Sequence, residues 1–226
     1  MLTTASRRWC AFVRACQLQW RPLRSYTVPR TGVESPVCAS WLSVGEDTFI
    51  RVRPPERVEF SEAVLELRQR VMWPDRPLTY SAVEGDETEA QHYGIYARAT
   101  TNGVGLGESI EEKLVSVVSV WLSADGIDAQ FRKFCTSNEL QRKGLGVELL
   151  SFALASLRKG QPPIQRVWCN ARVEQMGFYS KHFGLQEITN SRFEKGGREY
   201  VLMERCYTPG NDDGVKQARG LTGRKI

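Results

Sequence analysis

The hexapeptide Gln141-Arg142-Lys143-Gly144-Leu145-Gly146 lies between two segments of different periodicity. Residues 129–135 before it form a strand-like run, and residues 147–158 after it repeat apolar side chains at helical spacing. Glycine permits a positive φ and close approach of a ligand to the backbone. The N–H groups of a helix's first turn lack intrahelical partners and, together with the helix dipole, attract phosphate. The pattern is typical of a pyrophosphate site, although a glycine-rich connection without a ligand produces it as well.

Length and composition predict one folded domain with extensions. The chain has 226 residues, of which 41% are hydrophobic, which is enough for a core. No stretch reaches the roughly 18 consecutive apolar residues of a membrane span, so we expect none. The net charge of +5 divides into +6 over residues 1–33, +2 over 207–226 and −3 over 34–206. Because the centre is not basic, we expect no nucleic-acid partner for it.

The cysteines and histidines predict neither a disulfide framework nor a metal site. No two cysteines form a C-x-x-C pair, and the chain has only two histidines. We expect all cysteines to be reduced, in a non-secretory compartment. Three of them lie in apolar, strand-like runs, where buried thiols are common: Cys135, Cys169 and Cys206.

The two ends of the chain differ in composition from its centre. Residues 1–33 carry six arginines, no lysine and no acidic residue, as in a mitochondrial transit peptide. A disordered basic arm or a misassigned start codon would have the same composition. Residues 34–47 are predicted to be a linker, 48–206 the folded domain and 207–226 a disordered tail. The predicted location is mitochondrial, with the cytoplasm as the alternative.

Periodicity along the centre predicts the element order β-α-βββ-α-β-α-ββ. Asp125-Gly126 is expected to turn the chain between two strands, whereas residues 100–109, with three alternating glycines, form a loop that joins strand to strand. An antiparallel meander leading into a βαβ unit predicts an α/β (α+β) domain with helices on both faces of a mixed sheet. The strands are expected at 48–53, 91–97, 113–122, 128–135, 166–170, 185–188 and 199–205, and the helices after Ser61, at 143–159 and at 172–183.

This order, with the glycine turn after the meander, resembles the GNAT superfamily of N-acetyltransferases. The superfamily's acyl-CoA signature is Arg/Gln-x-x-Gly-x-Gly/Ala, which Gln141, Gly144 and Gly146 fill. The resemblance covers about residues 48–206 and implies a mostly antiparallel sheet with a splayed βαβ unit.

Two further segments carry the resemblance. Members often have an Asn on the next strand and then Phe-Tyr-x-Lys on a helix, which Asn170 and Phe178-Tyr179-Ser180-Lys181 match. Phe183 stands where members usually have Gly, and Gly184 follows one residue later, so we expect a local shift at the end of that helix. The segment 67–74 resembles the first helix of a small branch of the superfamily.

The resemblance implies acetyl-CoA as co-substrate and no metal. Backbone N–H groups of the glycine turn would bind the pyrophosphate, with added charge from Arg142 and Lys143, although solvated surface positions explain those two side chains equally well. The strand before the turn would offer main-chain groups to the pantetheine arm. The implied cofactor-binding residues are Phe134, Cys135, Thr136, Gln141, Arg142, Lys143, Gly144, Leu145, Gly146 and Asn170.

Tyr179 occupies the superfamily's position for the acid that protonates the departing thiolate, and a core tyrosine is the structural alternative. The base is left open. Glu139 reads as a surface or capping residue, and His92 reads as structural although it could face the acceptor. Cys135 and Cys169 are expected to pack in the core rather than to carry an acyl group.

The implied function is acetyl transfer from acetyl-CoA to a primary amine of a small molecule, peptide or protein, by direct attack in a ternary complex. The alternative is a non-catalytic acyl-CoA-binding or structural subunit of a mitochondrial assembly. Other nucleotide-binding α/β classes are excluded, because the chain lacks the Gly-Lys-Ser/Thr of a P-loop and the spacing of a dinucleotide fold. Neither the acceptor nor the oligomeric state follows from the sequence.

Overall fold

The computed structural model describes residues 40–43, 48–101 and 112–207. The strands are β1 (Ser40–Ser43), β2 (Thr48–Val52), β3 (Glu56–Val58), β4 (Gln91–Thr101), β5 (Lys113–Leu122), β6 (Asp128–Thr136), β7 (Arg166–Arg172), β8 (Gln186–Glu187), β9 (Phe193–Lys195) and β10 (Arg198–Cys206). They form one sheet in the order β1-β2-β4-β5-β6-β7-β10-β8, with β3 paired to β4 and β9 paired to β10. The α-helices are α1 (Glu62–Met72), α2 (Leu145–Arg158) and α3 (Met176–Phe183).

Helices cover both faces of the sheet, as predicted. On one face, Val64 and Leu67 of α1 pack in a cluster with Val117 and Cys135. On the other face, α2 buries an apolar stripe against the larger core cluster. The stripe repeats at helical spacing and comprises Leu145, Leu149, Leu150, Ala153, Leu154 and Leu157.

The predicted splay lies between β6 and β7. These parallel strands pair only from Asp128 to Gln130 opposite Arg166 to Trp168. Beyond that point β6 continues along β5, while β7 pairs with β10 as far as Arg172. Each strand therefore follows its antiparallel neighbour, and a gap opens between their carboxyl-terminal halves.

A β-bulge interrupts β6 beside this gap. Arg132 lies opposite Ser119, and Cys135 lies opposite Val117. Lys133 and Phe134 therefore share one partner position on β5, and Lys133 has a φ of 53°. The sequence analysis did not predict this bulge, because it expected an uninterrupted strand.

Most predicted elements are confirmed, with differences at their ends. The strand over 113–122 is confirmed with the same bounds, and the other meander strands run on to Thr101 and Thr136. The last helix begins only at Met176, after a 3₁₀ turn over residues 173–175. It ends at Phe183 with Gly184 as its cap, which is the expected local shift.

Three short strands were not predicted in their observed places. The linker predicted over 34–47 contains β1, which pairs with β2. The first strand, expected over 48–53, ends at Val52, and β3, which was not predicted, follows after Pro54-Pro55 and pairs with β4. Arg53 N–H donates to the Tyr96 carbonyl and directs the chain along that strand. The expected strand over 185–188 is present as β8 and pairs with β10, whereas β9, which forms the tight hairpin with β10, was not predicted.

Several predictions fall outside the described residues. These are the transit peptide over 1–33, most of the loop over 100–109 and the tail beyond Tyr207. Tyr207 itself is described, and its N–H donates to the Gln165 carbonyl. None of the described helices is long and apolar enough to cross a membrane.

Candidate functional site

The glycine loop before α2 has the conformation that its sequence demands. Gly144 is the N-cap of α2 with φ 85° and ψ −11°, and an added Cβ there would meet no atom within 4 Å. Its requirement for glycine is therefore conformational rather than steric. The Gly144 carbonyl accepts the first helical hydrogen bond, from Glu148 N–H. The N–H groups of the first turn are left for a ligand, and both Gln141 and Gly144 are exposed.

Gln141 holds the loop in place. Its Nε2 donates to the Thr136 carbonyl at 3.1 Å and to Asn138 Oδ1 at 3.0 Å. Sequence reasoning assigned this side chain to the cofactor, whereas the structure shows it bridging the end of β6 to the loop. The signature glutamine can thus act on a ligand through the position of the backbone.

Gly146 allows α2 to begin close to β6. An added Cβ would lie 3.1 Å from Phe134 Cζ and 3.7 Å from Thr136 Oγ1. The first of these distances is too short for a comfortable contact, so a larger residue would displace Phe134 or the helix. The helix N-terminus is therefore adjacent to the strand that borders the splay.

The main chain of β6 presents polar groups to the splay. Ser137 N–H donates to the Val115 carbonyl, and Cys135 lies opposite Val117. Residues of an antiparallel ladder alternate between exchanging hydrogen bonds with the neighbour and pointing away from it. Thr136 therefore directs its N–H and C=O away from β5, and its carbonyl accepts from Gln141. An extended ligand in the gap could pair with this edge as an added strand does.

Tyr179 lies in an aromatic cluster next to the same strand. Its ring centroid is 5.6 Å from that of Phe131 and 5.2 Å from that of Phe178. Phe178 in turn lies 6.2 Å from Phe134. The side chain is partly buried, and its hydroxyl has no hydrogen-bond partner among the residues that the structure describes.

Burial keeps the Tyr179 hydroxyl protonated. It raises the pKa of that group well above its ordinary value; the nearby Cys169 adds to the rise, and the positive charge of Arg172 partly offsets it. A protonated hydroxyl without a partner among the described residues is suited to donate to a developing anion.

The remaining cofactor candidates have less defined surroundings. Arg142 is exposed with φ 60°, and Lys143 is half-buried. Asn170 lies opposite Leu202 in β7, and its side chain is exposed beyond the last residues that pair β6 with β7. Leu145 contributes its backbone only, because its side chain is buried in the core.

Two residues considered as candidate bases have structural surroundings. His92 is buried, with Nδ1 2.7 Å from Ser119 Oγ and Nε2 2.8 Å from the Asp86 carbonyl. Burial lowers the pKa of His92, and the charge of Arg68 acts in the same direction. Glu139 lies in a short 3₁₀ helix, Asn138–Leu140, between β6 and the loop. The reading of both residues as structural agrees with these positions.

The cysteines near the splay are core residues, as expected. Burial raises the pKa of the Cys135 thiol to about 12 and also raises that of Cys169. Cys206 differs from the expectation, since it is exposed at the last position of β10. All three are free thiols.

The sequence analysis did not identify the contact between Lys133 and Trp73 beside the splay. The Lys133 ammonium nitrogen lies 3.9 Å from the centre of the Trp73 ring. The available signal was Arg132-Lys133, two successive charges inside an apolar run, which breaks the alternation of a regular strand.

These residues fit a coenzyme A thioester. The N–H groups of the first turn of α2 have no acceptor within the helix and suit a pyrophosphate. Gly146 has no side chain, so the space between α2 and Phe134 is not filled. The exposed edge of β6 suits the amide-bearing pantetheine arm. Among the described residues, no group of His, Cys, Asp and Glu side chains could hold a metal ion.

Comparison with known proteins gives the same assignment. A family model for an acetyltransferase (GNAT) domain matches residues 89–206. A crystal structure of an acyl-CoA N-acyltransferase from Pseudomonas aeruginosa aligns with a TM-score of 0.50 at 15% identity, covering 67% of this chain and 98% of that one. The crystal structure of Escherichia coli ElaA aligns with a TM-score of 0.49 at 20% identity, covering 67% of this chain and 97% of that one. A sequence search of curated proteins found no match.

The region that matches the family model covers more than half of the chain and includes both the glycine loop and Tyr179. The likeness to the Pseudomonas structure supports the same fold. The chain therefore belongs to the GNAT superfamily and is an acyltransferase that uses a coenzyme A thioester as its acyl donor.

Proposed function

We propose that this chain transfers an acetyl group from acetyl-CoA to a primary amine of a small molecule, peptide or protein. The amine attacks the thioester directly in a ternary complex, and Tyr179 protonates the departing thiolate. The observation that carries the proposal is the Tyr179 hydroxyl, which lies beside the splay, with its pKa raised by burial. A tyrosine that only filled the core would satisfy its hydroxyl within the protein.

The state of the two nearby cysteines supports direct attack. A covalent route needs a thiolate as the nucleophile. Burial raises the pKa of Cys135 to about 12 and acts on Cys169 in the same direction, so both thiols stay protonated near neutral pH. The amine itself is therefore the nucleophile.

In the proposed complex the cofactor runs from the α2 N-terminus along β6. The pyrophosphate binds the backbone N–H groups behind Gly144, with Arg142 and Lys143 adding positive charge. The pantetheine arm pairs with the edge of β6 at Thr136, and Asn170 faces it from β7. We assign the acceptor to the α1 face, because α2 and the helix that carries Tyr179 cover the other face of the sheet.

A panel assay tests the function. Thiol release from acetyl-CoA is followed with polyamines, amino acids, aminoglycosides and peptides that have a free N-terminus. We expect acceptor-dependent release with at least one class. Binding of acetyl-CoA without release for any acceptor would instead favour a non-catalytic acyl-CoA-binding subunit, and absence of binding would refute the donor assignment.

Tyr179→Phe tests the acid. Loss of the hydroxyl should lower kcat by about 10²-fold or more with little change in acetyl-CoA affinity. Tyr93→Phe is the matched control, because Tyr93 is also a buried tyrosine with a raised pKa, but its hydroxyl donates to Gln91 at 3.0 Å. Equal activity of the two variants would remove Tyr179 from the mechanism.

We also propose that the enzyme acts in mitochondria, on the basis of the arginine-rich, acid-free residues 1–33. The N-terminal sequence of the mature protein tests this proposal. Cleavage within or just after this segment is expected. A mature protein in the cytoplasm that retains residues 1–33 would contradict it.

A further inference from the structure

Lys133 occupies a special position on β6. It is the left-handed residue of the bulge, with φ 53°, and it directly precedes the segment that borders the splay. Its neighbour Phe134 packs toward Phe178 of α3, whereas Lys133 extends to Trp73 at the end of α1. The bulge thus places the lysine on the face of the sheet opposite to Tyr179.

Lys133 lacks the carboxylate partner that usually stabilises a partly buried ammonium. Its nitrogen lies over the Trp73 ring, whose face favours the ammonium, but no ion pair joins it to a carboxylate among the described residues. Asp86 is the nearby acid, but Arg68 binds both of its carboxylate oxygens at 2.7 and 2.9 Å. That carboxylate is therefore committed to another cation.

The charges that act on Lys133 come from four parts of the fold. Burial lowers the pKa of Lys133 to about 8; Arg68 of α1, Arg132 of β6 and Lys195 of β9 act in the same direction, and Asp86 of the loop before β4 opposes them. A substantial fraction of Lys133 is then uncharged at mildly basic pH, which is unusual for a lysine.

We propose that Lys133 is the base that removes the proton from the acceptor's amino group. This inference rests on the proposed function and completes it, because the amine must lose a proton as it attacks. The side chain lies on the acceptor side of the splay, next to the β6 edge assigned to the acyl arm. Tyr179, the acid, lies on the other side.

The acceptor enters this step as a neutral amine. The amine nitrogen forms a bond to the thioester carbonyl carbon and loses one proton to Lys133 Nζ. The carbon–sulfur bond breaks, and the thiolate takes the proton of the Tyr179 hydroxyl. The products are an N-acetyl amine and free coenzyme A. Lys133 then returns its proton to solvent, Tyr179 regains one, and the Trp73 face stabilises the transient ammonium.

A lysine that only bound an anionic group of the acceptor would require its charge. Two substitutions distinguish this role from that of a base. Lys133→Met removes both charge and basicity, whereas Lys133→Arg retains a permanent cation that cannot act as a base near neutral pH. Lys159→Met and Lys159→Arg are the controls, since Lys159 is exposed at the far end of α2.

The experiment measures kcat/KM against pH in the full chain, with an acceptor found in the panel assay. For the wild type we expect a rise that levels off above about 8. Both Lys133 variants should lose about 10²-fold or more at the plateau and lack the levelling, with unchanged acetyl-CoA affinity. The profile is measured with two acceptors whose amines differ in pKa. An inflection that belongs to the enzyme lies at the same pH with both acceptors.

A second measurement does not depend on the acceptor. NMR of protein with isotope-labelled lysine, assigned by the loss of a signal in Lys133→Arg, should show a pKa of about 8. An ordinary lysine pKa would overturn the proposal. Full activity of Lys133→Arg would also overturn it and indicate anion binding. Wild-type protein without activity on any amine would remove the proposed function, and this inference with it.

Discussion

Replacing Gly144 by alanine should weaken acetyl-CoA binding through backbone strain alone. Gly144 has φ 85°, and an added Cβ would meet no atom within 4 Å. The substitution is therefore free of steric conflict with neighbouring residues and acts only through the left-handed conformation. For an L-residue that conformation costs roughly 1–2 kcal/mol.

The same 1–2 kcal/mol limits the loss of affinity. Because nothing packs over the exposed Gly144, we expect the free loop of Gly144→Ala to relax out of the left-handed conformation. Acetyl-CoA must then restore it on binding, and the strain reappears as a rise in Kd of about 5- to 30-fold. The free energy of unfolding should correspondingly fall by less than the full strain.

Gly196→Ala is the matched control. Gly196 has φ 61°, an added Cβ would likewise meet no atom within 4 Å, and it lies in the turn between β9 and β10. Titration calorimetry gives the acetyl-CoA Kd of both variants, and urea unfolding gives their stability. We expect a near-normal Kd for Gly196→Ala. Equal Kd values for the two variants would refute the assignment of the loop before α2 to the cofactor.

Three further predictions concern the core behind the site. Asp86→Asn should lower the free energy of unfolding by about 3–5 kcal/mol, because it leaves the charge of Arg68, whose side chain is 0% exposed, without its partner. Glu187→Gln, which removes an exposed ion pair, should leave the free energy of unfolding nearly unchanged in the same urea titration. The pKa of His92 is lower in the folded chain than in the unfolded chain, so the unfolded chain takes up the proton first as the pH falls. The free energy of unfolding of the wild type should therefore fall below about pH 6.5, by up to about 1.4 kcal/mol per pH unit. A His92→Gln variant whose free energy of unfolding has the same pH dependence would contradict this. Leu149→Ala should destabilise by about 2–5 kcal/mol, measured by urea unfolding, because Leu149 is fully buried in the stripe of α2, and a loss below about 1 kcal/mol would contradict that packing.

The buried network around Arg68 connects the helix α1 to the sheet beneath it. Arg68 donates to Asp86 and, at 2.6 Å, to Ser119 Oγ, while His92 contacts the same hydroxyl. These bonds hold α1 against β4 and β5. Since Trp73 directly follows α1, the network also determines where that ring meets Lys133.

Local elements were predictable because their causes are local. The α2 stripe follows from leucines at helical spacing, and the left-handed Gly144 follows from a glycine between a strand and a helix. The superfamily resemblance then located Tyr179 by its distance along the chain from the glycine loop. None of this reasoning could describe the surroundings of Tyr179, since the ring of Phe131 packs beside it from 48 residues away in the sequence.

Other features depend on pairings between distant residues. No local pattern assigns Arg68 a partner, yet it is fully buried because Asp86 and Ser119 meet it from other elements. The strand β3 was missed because it forms where the edge of β4 beyond its pairing with β2 was available to pair with residues 56–58.

The sequence by itself determined the order of elements, the glycine loop that begins α2 and the superfamily, because periodicity, glycine positions and short motifs are properties of neighbouring residues. The superfamily resemblance implied a splay, but only the tertiary structure decided where along β6 and β7 it opens and where Lys133 lies. The splay exists because β7 follows β10 while β6 follows β5, and the lysine meets Trp73 because the bulge in β6 turns it toward α1. Both result from competition between strands for partners, which no single segment encodes.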